Sequence, residues 1–440
     1  MGFQETIQYL FDLQKFGTKL GLDNTIALLE LLGRPDKKQS YLHVTGTNGK
    51  GSVSAFCASV LSRAGYSTGL YTSPHLVSFT ERIRVDGKAA SEDGVVALAE
   101  RLKSLLAEKG PELRPTFFEF TTAMALDYFA DAGTDIAVLE VGMGGRLDST
   151  NVVMPECTVI TNVEMEHREY LGDTIEAIAF EKAGIIKPGV PLVTSEKKDP
   201  VLRMFAERCR GLGSDMLVPG RDYGYEFRGA MLDGCRIVQT MDYSGPGGDI
   251  KALEVPLAGV HQLENAATAV CALQILARRG FPCDEGAIRA GLLSTRWEGR
   301  LEIVSQRPLL VLDGAHNPAS AARLAESLTE YFAGHYRKLI LVLGVLSDKE
   351  PSFMVKTLAP FADEVVFTQA EYERAVPADD LMSIAADAGI KARVSRTVSG
   401  AVASALSAAA PEDMVLVAGS LYVVGEAKAW LEKKEQFLKA

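Results

Sequence analysis

Apolar and polar residues alternate along this chain in two rhythms. Ile7, Leu10, Phe11 and Leu13 fall near helical spacing, and Thr25 to Leu32 reads as a second helix. Tyr41 to Val44 is then a short run that suits a buried parallel strand, followed by a helix to about Ala64. The alternation continues with a strand over Gly69 to Thr72, an amphipathic helix over 91 to 108 and another from about Phe118 to Ala132. Strands are expected at Asp135 to Val141, Cys157 to Val163 and Val190 to Thr194, with a helix from Thr174 to about Ile186 that stops before Pro188-Gly189. Strands alternating with helices over 40 to 195 predict an α/β fold, a doubly wound and mostly parallel sheet.

The rhythm changes over 200 to 256, where GYEFRGA and CRIVQTM, broken by SGPGG, predict antiparallel hairpins. The helix of HQLENAATAVCALQILARRG and one over 284 to 293 follow, and beyond STRWEGRLE the strand–helix pattern restarts. Leu309 to Leu312, Leu339 to Leu343, Val365 to Thr368 and Met414 to Val417 are apolar strands, each followed by a helix. The expected division is therefore a first domain over 1–297 and a smaller α/β domain over 298–440.

Between the first buried strand and its helix stands the loop Gly46, Thr47, Asn48, Gly49, Lys50, Gly51 and Ser52. Glycines let backbone N–H groups close on phosphate oxygens, a helix N-terminus adds partial positive charge, and Lys50 adds a full one. The spacing is a shortened variant of the common nucleotide loop, because Val44 stands where the first glycine would be. A bare strand-to-helix turn would need the glycines but not the lysine and serine.

Composition narrows the function. With 440 residues, 47% of them hydrophobic and 23% charged, the chain reads as a soluble protein of two or three domains. A net charge of −11 argues against coating nucleic acid, so anionic ligands need local positive groups: Lys50, and the pair Arg82 and Arg84 in TERIRV. No apolar run reaches membrane-span length, and MGFQETIQYLFDLQKFG has no signal-peptide pattern. The six cysteines stand singly, which favours a reduced cytoplasm over a zinc site.

Ligands of open parallel sheets sit at strand C-termini, where Ser73, Glu140 and His167 fall beside the loop. Glu140 closes an otherwise apolar strand, so it is either bonded structurally or holds a cation. A carboxylate and a hydroxyl beside a phosphate site suit Mg²⁺, which takes few protein oxygens and several from phosphates. His167 alone reads equally as a ligand or as a satisfied histidine, and Lys182 and Lys187 read as solvated helix-face lysines. Asp313 and His316 in DGAHNP lie at a strand end of the second domain, or form a pair capping the helix that starts near Pro318.

In order, GTNGKGS, YTSPHL with TERIRVDG, FFEFTTAMAL, LEVGMGGRLDSTN, EHREYLGDT with EKAGIIKPG, HQLENAATA, GRLE, DGAHNP and GSLYVVGE resemble the folylpolyglutamate synthase and dihydrofolate synthase family of Mur-type ligases. The resemblance covers about 40 to 425. It implies a Rossmann-like C-terminal domain, ATP and Mg²⁺ as cofactors, and folate or dihydropteroate and L-glutamate as substrates of a cytoplasmic monomer. It further implies that Gly46 to Ser52 hold the ATP phosphates. Ser73 and Glu140 would take one Mg²⁺, with Glu140 and His167 on a second. Lys182 would be a lysine often carbamylated in the family. Asn265 would contact adenine, Arg300 the phosphates, and Asp313 and His316 the ribose and γ-phosphate side. Lys50, His167, Lys182 and His316 are the catalytic candidates. Two positions depart from the family pattern: Glu166 stands where aspartate is usual, and Glu298 where proline is usual. A Mur-type ligase acting on a nucleotide sugar, or a nucleotide-binding switch without ligase activity, are the competing readings. The YTSPHL and TERIRV stretch, which lines the pterin side in the family, favours the folate branch, and DGAHNP disfavours a switch.

Overall fold

A computed structural model describes residues 2–17, 21–109, 113–233, 235–387 and 390–439. The chain folds as two compact units. The first comprises Met1–Phe227, Met241–Glu254 and Leu263–Thr295, and the second Arg228–Thr240, Val255–Gln262 and Arg296–Ala440. The sequence reading cuts once, after 297, whereas here 228–240 and 255–262 also group with the second unit.

The first unit is built on eight strands: β1 (Ser40–Thr45), β2 (Thr68–Tyr71), β3 (Ile83–Val85), β4 (Lys88–Ala89), β5 (Ile136–Glu140), β6 (Cys157–Ile160), β7 (Leu192–Thr194) and β8 (Met216–Leu217). Their order is β4-β3-β2-β5-β1-β6-β7-β8. Strands β2, β5, β1, β6, β7 and β8 run parallel, while β3 and β4 add an antiparallel edge. Every residue of β2, β5, β6 and β7 is buried, which is why these strands read as continuous apolar runs. Leu28, Tyr41, Tyr71, Phe120 and Leu139 pack in one apolar cluster, and Ile160, Ile178, Ile185, Leu192 and Phe205 in another. The helix Phe117–Ala132 starts on a Thr116–Glu119 capping box, which satisfies its first backbone donors.

The chain leaves β1 for β2 on one side and leaves β5 for β6 on the other, although β1 and β5 are neighbours, with Val44 beside Glu140. Such a divergence opens a crevice at the strand ends, and this is where the glycine loop and Glu140 lie.

Four short elements had no apolar run to announce them. TERIRV, taken above as a positive cluster, forms a 3-10 turn over Phe79–Arg82 and the strand β3. The loop expected after β6 contains the four-residue helix Arg168–Leu171, and β8 spans two residues.

A three-stranded sheet, order β11-β10-β9, is made of β9 (Gly224–Asp233), β10 (Arg236–Ser244) and β11 (Ile250–Val255). The second unit carries β12 (Glu302–Gln306), β13 (Leu309–Leu312), β14 (Leu339–Leu343), β15 (Glu364–Phe367), β16 (Ala392–Val394) and β17 (Met414–Ala418), in the order β12-β13-β17-β14-β15-β16. Only β12 runs antiparallel. Strand β16 is partly exposed throughout, and β12 has only one buried residue, so neither gave the apolar run that marked the four central strands. No helix of the described residues is long and apolar enough to cross a membrane.

Candidate active site

The loop after β1 is fastened to the exit of β6. Thr47 N donates to Asn162 O at 2.8 Å, and Asn48 N donates to Asn162 Oδ1 at 2.9 Å. Thr161 Oγ1 donates to Asn48 O at 2.6 Å, and Glu164 N donates to Thr47 Oγ1 at 2.9 Å. Gly46 and Gly49 both have positive φ, 149° and 85°. A side chain at Gly46 would run into Thr161, and one at Gly49 into the Asn265 amide, so both glycines are required by close approach. Gly49 caps the helix Lys50–Arg63, whose first N–H groups have no partners within the helix. Lys50 Nζ donates to the carbonyl oxygens of Gly46 at 2.8 Å and Thr47 at 3.0 Å. The ammonium is thereby parked across its own loop. Gly51 and Ser52 lie in the first turn of the same helix, with Ser52 buried. The sequence reading of a phosphate loop thus meets a shaped, fastened loop with Asn265 against it.

Ser73 and Glu140 meet. Ser73 N donates to Glu140 Oε2 at 3.1 Å, and Glu140 is only 5% exposed. The structural bond does not exhaust a carboxylate, which has about four lone-pair positions. No group of three or more His, Cys, Asp or Glu residues among those described could hold a metal. That donor set fits Mg²⁺ held by one or two protein oxygens and phosphate oxygens, and does not fit an all-protein metal cage.

His167 caps the Arg168–Leu171 helix with a left-handed backbone, φ 45°. Next to it, Glu166 accepts from Lys182 Nζ at 2.6 Å. Lys182 is 1% exposed, so the solvated helix-face reading is overturned. It sits on the helix Ile175–Ala183, started by Thr174, whose side chain accepts from Ala177 N. Burial would raise the Glu166 carboxyl, but Lys182, then Lys50 and His167, hold it down to about 2. Burial lowers Lys182, with Glu166 opposing. One carboxylate therefore links the lysine of the loop, the buried lysine and His167.

Sequence reasoning treated Glu166 only as a departure and missed Thr161 and Asn162 altogether. A polar pair directly after an apolar strand at a crevice was the available signal. Asp148, within LDSTN, has no role in the sequence reading. It is buried and accepts from Met143 N at 2.9 Å and from the Thr150 hydroxyl at 2.5 Å, and Thr150 in turn meets His43 Nε2 at 2.8 Å. Arg82, buried, donates from Nε to His75 Nδ1 at 2.8 Å and lies over the Phe117 ring at 5.1 Å.

In the second unit, Asp313 follows β13 and accepts from Leu301 N at 2.9 Å and Ala315 N at 2.8 Å. Burial raises its carboxyl, while Arg300 and these two N–H groups oppose. His316 Nδ1 lies 2.8 Å from Gly314 O. The alternative reading of an Asp–His helix cap does not hold: the cap is Asn317, whose side chain accepts from Ser320 N at 2.9 Å. Glu298 and Glu302 both pair with Lys428, at 3.0 and 2.6 Å.

The chain is similar to known proteins along nearly its whole length. Residues 44–273 match the Mur ligase middle domain, and 299–421 the Mur ligase glutamate ligase domain. The dihydrofolate synthase/folylpolyglutamate synthase of Bacillus subtilis is 34% identical, over 98% of this chain and 99% of that protein. A probable bifunctional folylpolyglutamate synthase/dihydropteroate synthase of Halobacterium salinarum is 39% identical over 97% of this chain, which spans about half (51%) of that relative's length. The crystal structure of folylpolyglutamate synthase from Thermotoga maritima superposes with a TM-score of 0.86 at 37% identity, covering 98% of this chain and 97% of that one.

Proposed function

Because the chain belongs to the dihydrofolate synthase/folylpolyglutamate synthase family of Mur ligases, we propose that it is an ATP-dependent ligase joining L-glutamate to folate, and to dihydropteroate as well. The observation that carries this reading is the fastened loop Gly46–Ser52 beside the Glu140 carboxylate at a strand-end crevice.

In the proposed reaction the acceptor's carboxylate oxygen attacks the γ-phosphorus of ATP. The bond to the bridging oxygen breaks, ADP leaves, and an acyl phosphate forms. The glutamate amine then attacks the acyl carbon, the carbon–oxygen bond to phosphate breaks, and phosphate leaves as the amine loses its proton. Backbone N–H groups of the loop would bind the β- and γ-phosphates, and Lys50 would turn from the loop carbonyls to the transferring phosphoryl group. Ser73 and Glu140 would hold one Mg²⁺, with Glu140 and His167 on a second, and the metal would neutralise charge on the phosphates. Asn265, against Gly49, is the proposed adenine contact. Glu166 would orient Lys182 and temper the positive charge around the loop. Arg300 is proposed to contact the phosphates, and Asp313 and His316 the ribose and γ-phosphate side of the nucleotide. A monomer in the cytoplasm, acting on small molecules and not on nucleic acid, completes the reading.

Phosphate release from ATP should require glutamate and a pteroate or folate together. Running dihydropteroate and tetrahydrofolate separately assigns the acceptor. Release without glutamate, or only with a nucleotide sugar, would overturn the proposal.

A further inference from the structure

In a chain of net charge −11, Lys187 and Arg208 of the first unit are in no ion pair with a carboxylate among the described residues. Arg208, on the helix Asp199–Leu212, has its Nε buried with no partner. Lys187 donates to the carbonyl oxygen of Asn151 at 2.9 Å, and the two charges that act on it, Arg208 and Lys37, are both positive. Burial pushes the Lys187 ammonium down, and these neighbours push it further.

The local fold brings the groups together. Gly189 N donates to Leu212 O at 3.0 Å, and Ser214 Oγ donates to Lys187 O at 2.9 Å, so the turn after Lys187 is tied to the end of the helix that carries Arg208. Lys37 ends the 3-10 turn before β1. Its neighbour Asp36 lies 3.6 Å away but is already held by Arg34 through two bonds of 2.9 and 2.6 Å. The helix dipole at Leu212 favours a cation there. It does not account for a half-buried lysine whose two neighbouring charges, Arg208 and Lys37, are both positive.

We propose that Lys37, Lys187 and Arg208 form an oxyanion-binding site, for a phosphate or a carboxylate group, separate from the glycine loop. Lys37 precedes β1 and Lys187 precedes β7, whereas the loop follows β1, so the two sites lie at opposite ends of the strands, roughly 20 Å apart for a six-residue strand. The cavity of about 690 Å³ bordered by Gly189, Asp215, Arg221 and Arg279 suits an anion less well. There Arg221 is held by Asp222 at 2.8 Å and Arg279 by Glu156 at 3.2 Å.

The test uses full-length protein saturated with ADP, so that the loop is blocked, at ionic strength held constant with chloride. Inorganic phosphate and tri-γ-glutamate are titrated separately while the thermal unfolding midpoint is followed. One or both should raise the midpoint in the parent protein, and the one that does identifies the source of the oxyanion. Arg208→Gln should raise the half-saturating concentration at least about tenfold, as loss of one charge-assisted bond would, while Arg208→Lys keeps most of the response. No rise with either anion, an unchanged response in Arg208→Gln, or a rise reproduced by chloride alone would overturn the site.

Discussion

The Lys182 ammonium lies 2.6 Å from the Glu166 carboxylate, with the two side chains 1% and 12% exposed. Glutamate here reaches the buried amine, so the extra methylene relative to aspartate is used in making an ion pair.

Glu166→Gln leaves that amine without its charge partner and should cost roughly 3–5 kcal/mol at pH 7. The Glu166 carboxyl is held at about 2, below its ordinary 4.5, so its contribution is fully present above pH 4.5 and is lost as pH falls toward 2. Denaturant unfolding of parent and variant should therefore differ most at neutral pH and converge in acid. A gap under about 1 kcal/mol at pH 7, or one that persists in acid, would show that the pair is not a net stabiliser.

Lys50→Ala removes an ammonium that touches only its own loop's carbonyls in this structure. The fold should persist by circular dichroism, while the rate of amide formation drops by ~10²-fold or more. Retention of over a tenth of the parent rate would sink the phosphate-binding role.

Glu140→Gln preserves the bond from Ser73 N while removing charge. The Mg²⁺ concentration for half-maximal rate should rise sharply. An unchanged Mg²⁺ dependence would leave Glu140 with a structural role instead.

Gly46→Ala places a methyl group against Thr161 at φ 149°. Strain of about 1–3 kcal/mol should appear in the denaturation midpoint, with weaker ADP binding because Thr161 can no longer hold Asn48 O. Parent-like ADP affinity would mean that the loop tolerates the shift.

The central strands were legible because buried parallel strands are uninterrupted apolar runs: β5 came out of DIAVLEV and β14 out of LILVL. Edge strands were not, since β16 mixes Ala392, Arg393 and Val394 and is only partly buried. The glycine loop was readable from a lysine among glycines. Its fastening by Thr161 and Asn162 was not, because those contacts join residues more than 110 positions apart in the chain. Lys182 read as solvated for the same reason: its helix shows a lysine with no visible partner until Glu166, 16 positions earlier, folds over it.

The hydrogen bonds that tie Thr47 and Asn48 to residues 161–164 mean that the loop's shape is stored in the segment leaving a neighbouring strand as well as in its own glycines. Transplanting GTNGKGS into another α/β scaffold would therefore carry over the letters without the fixture. A graft would need the TNVE segment, at the same spacing across the sheet, before the borrowed loop could present its amides in advance of a nucleotide and avoid the ordering cost on binding.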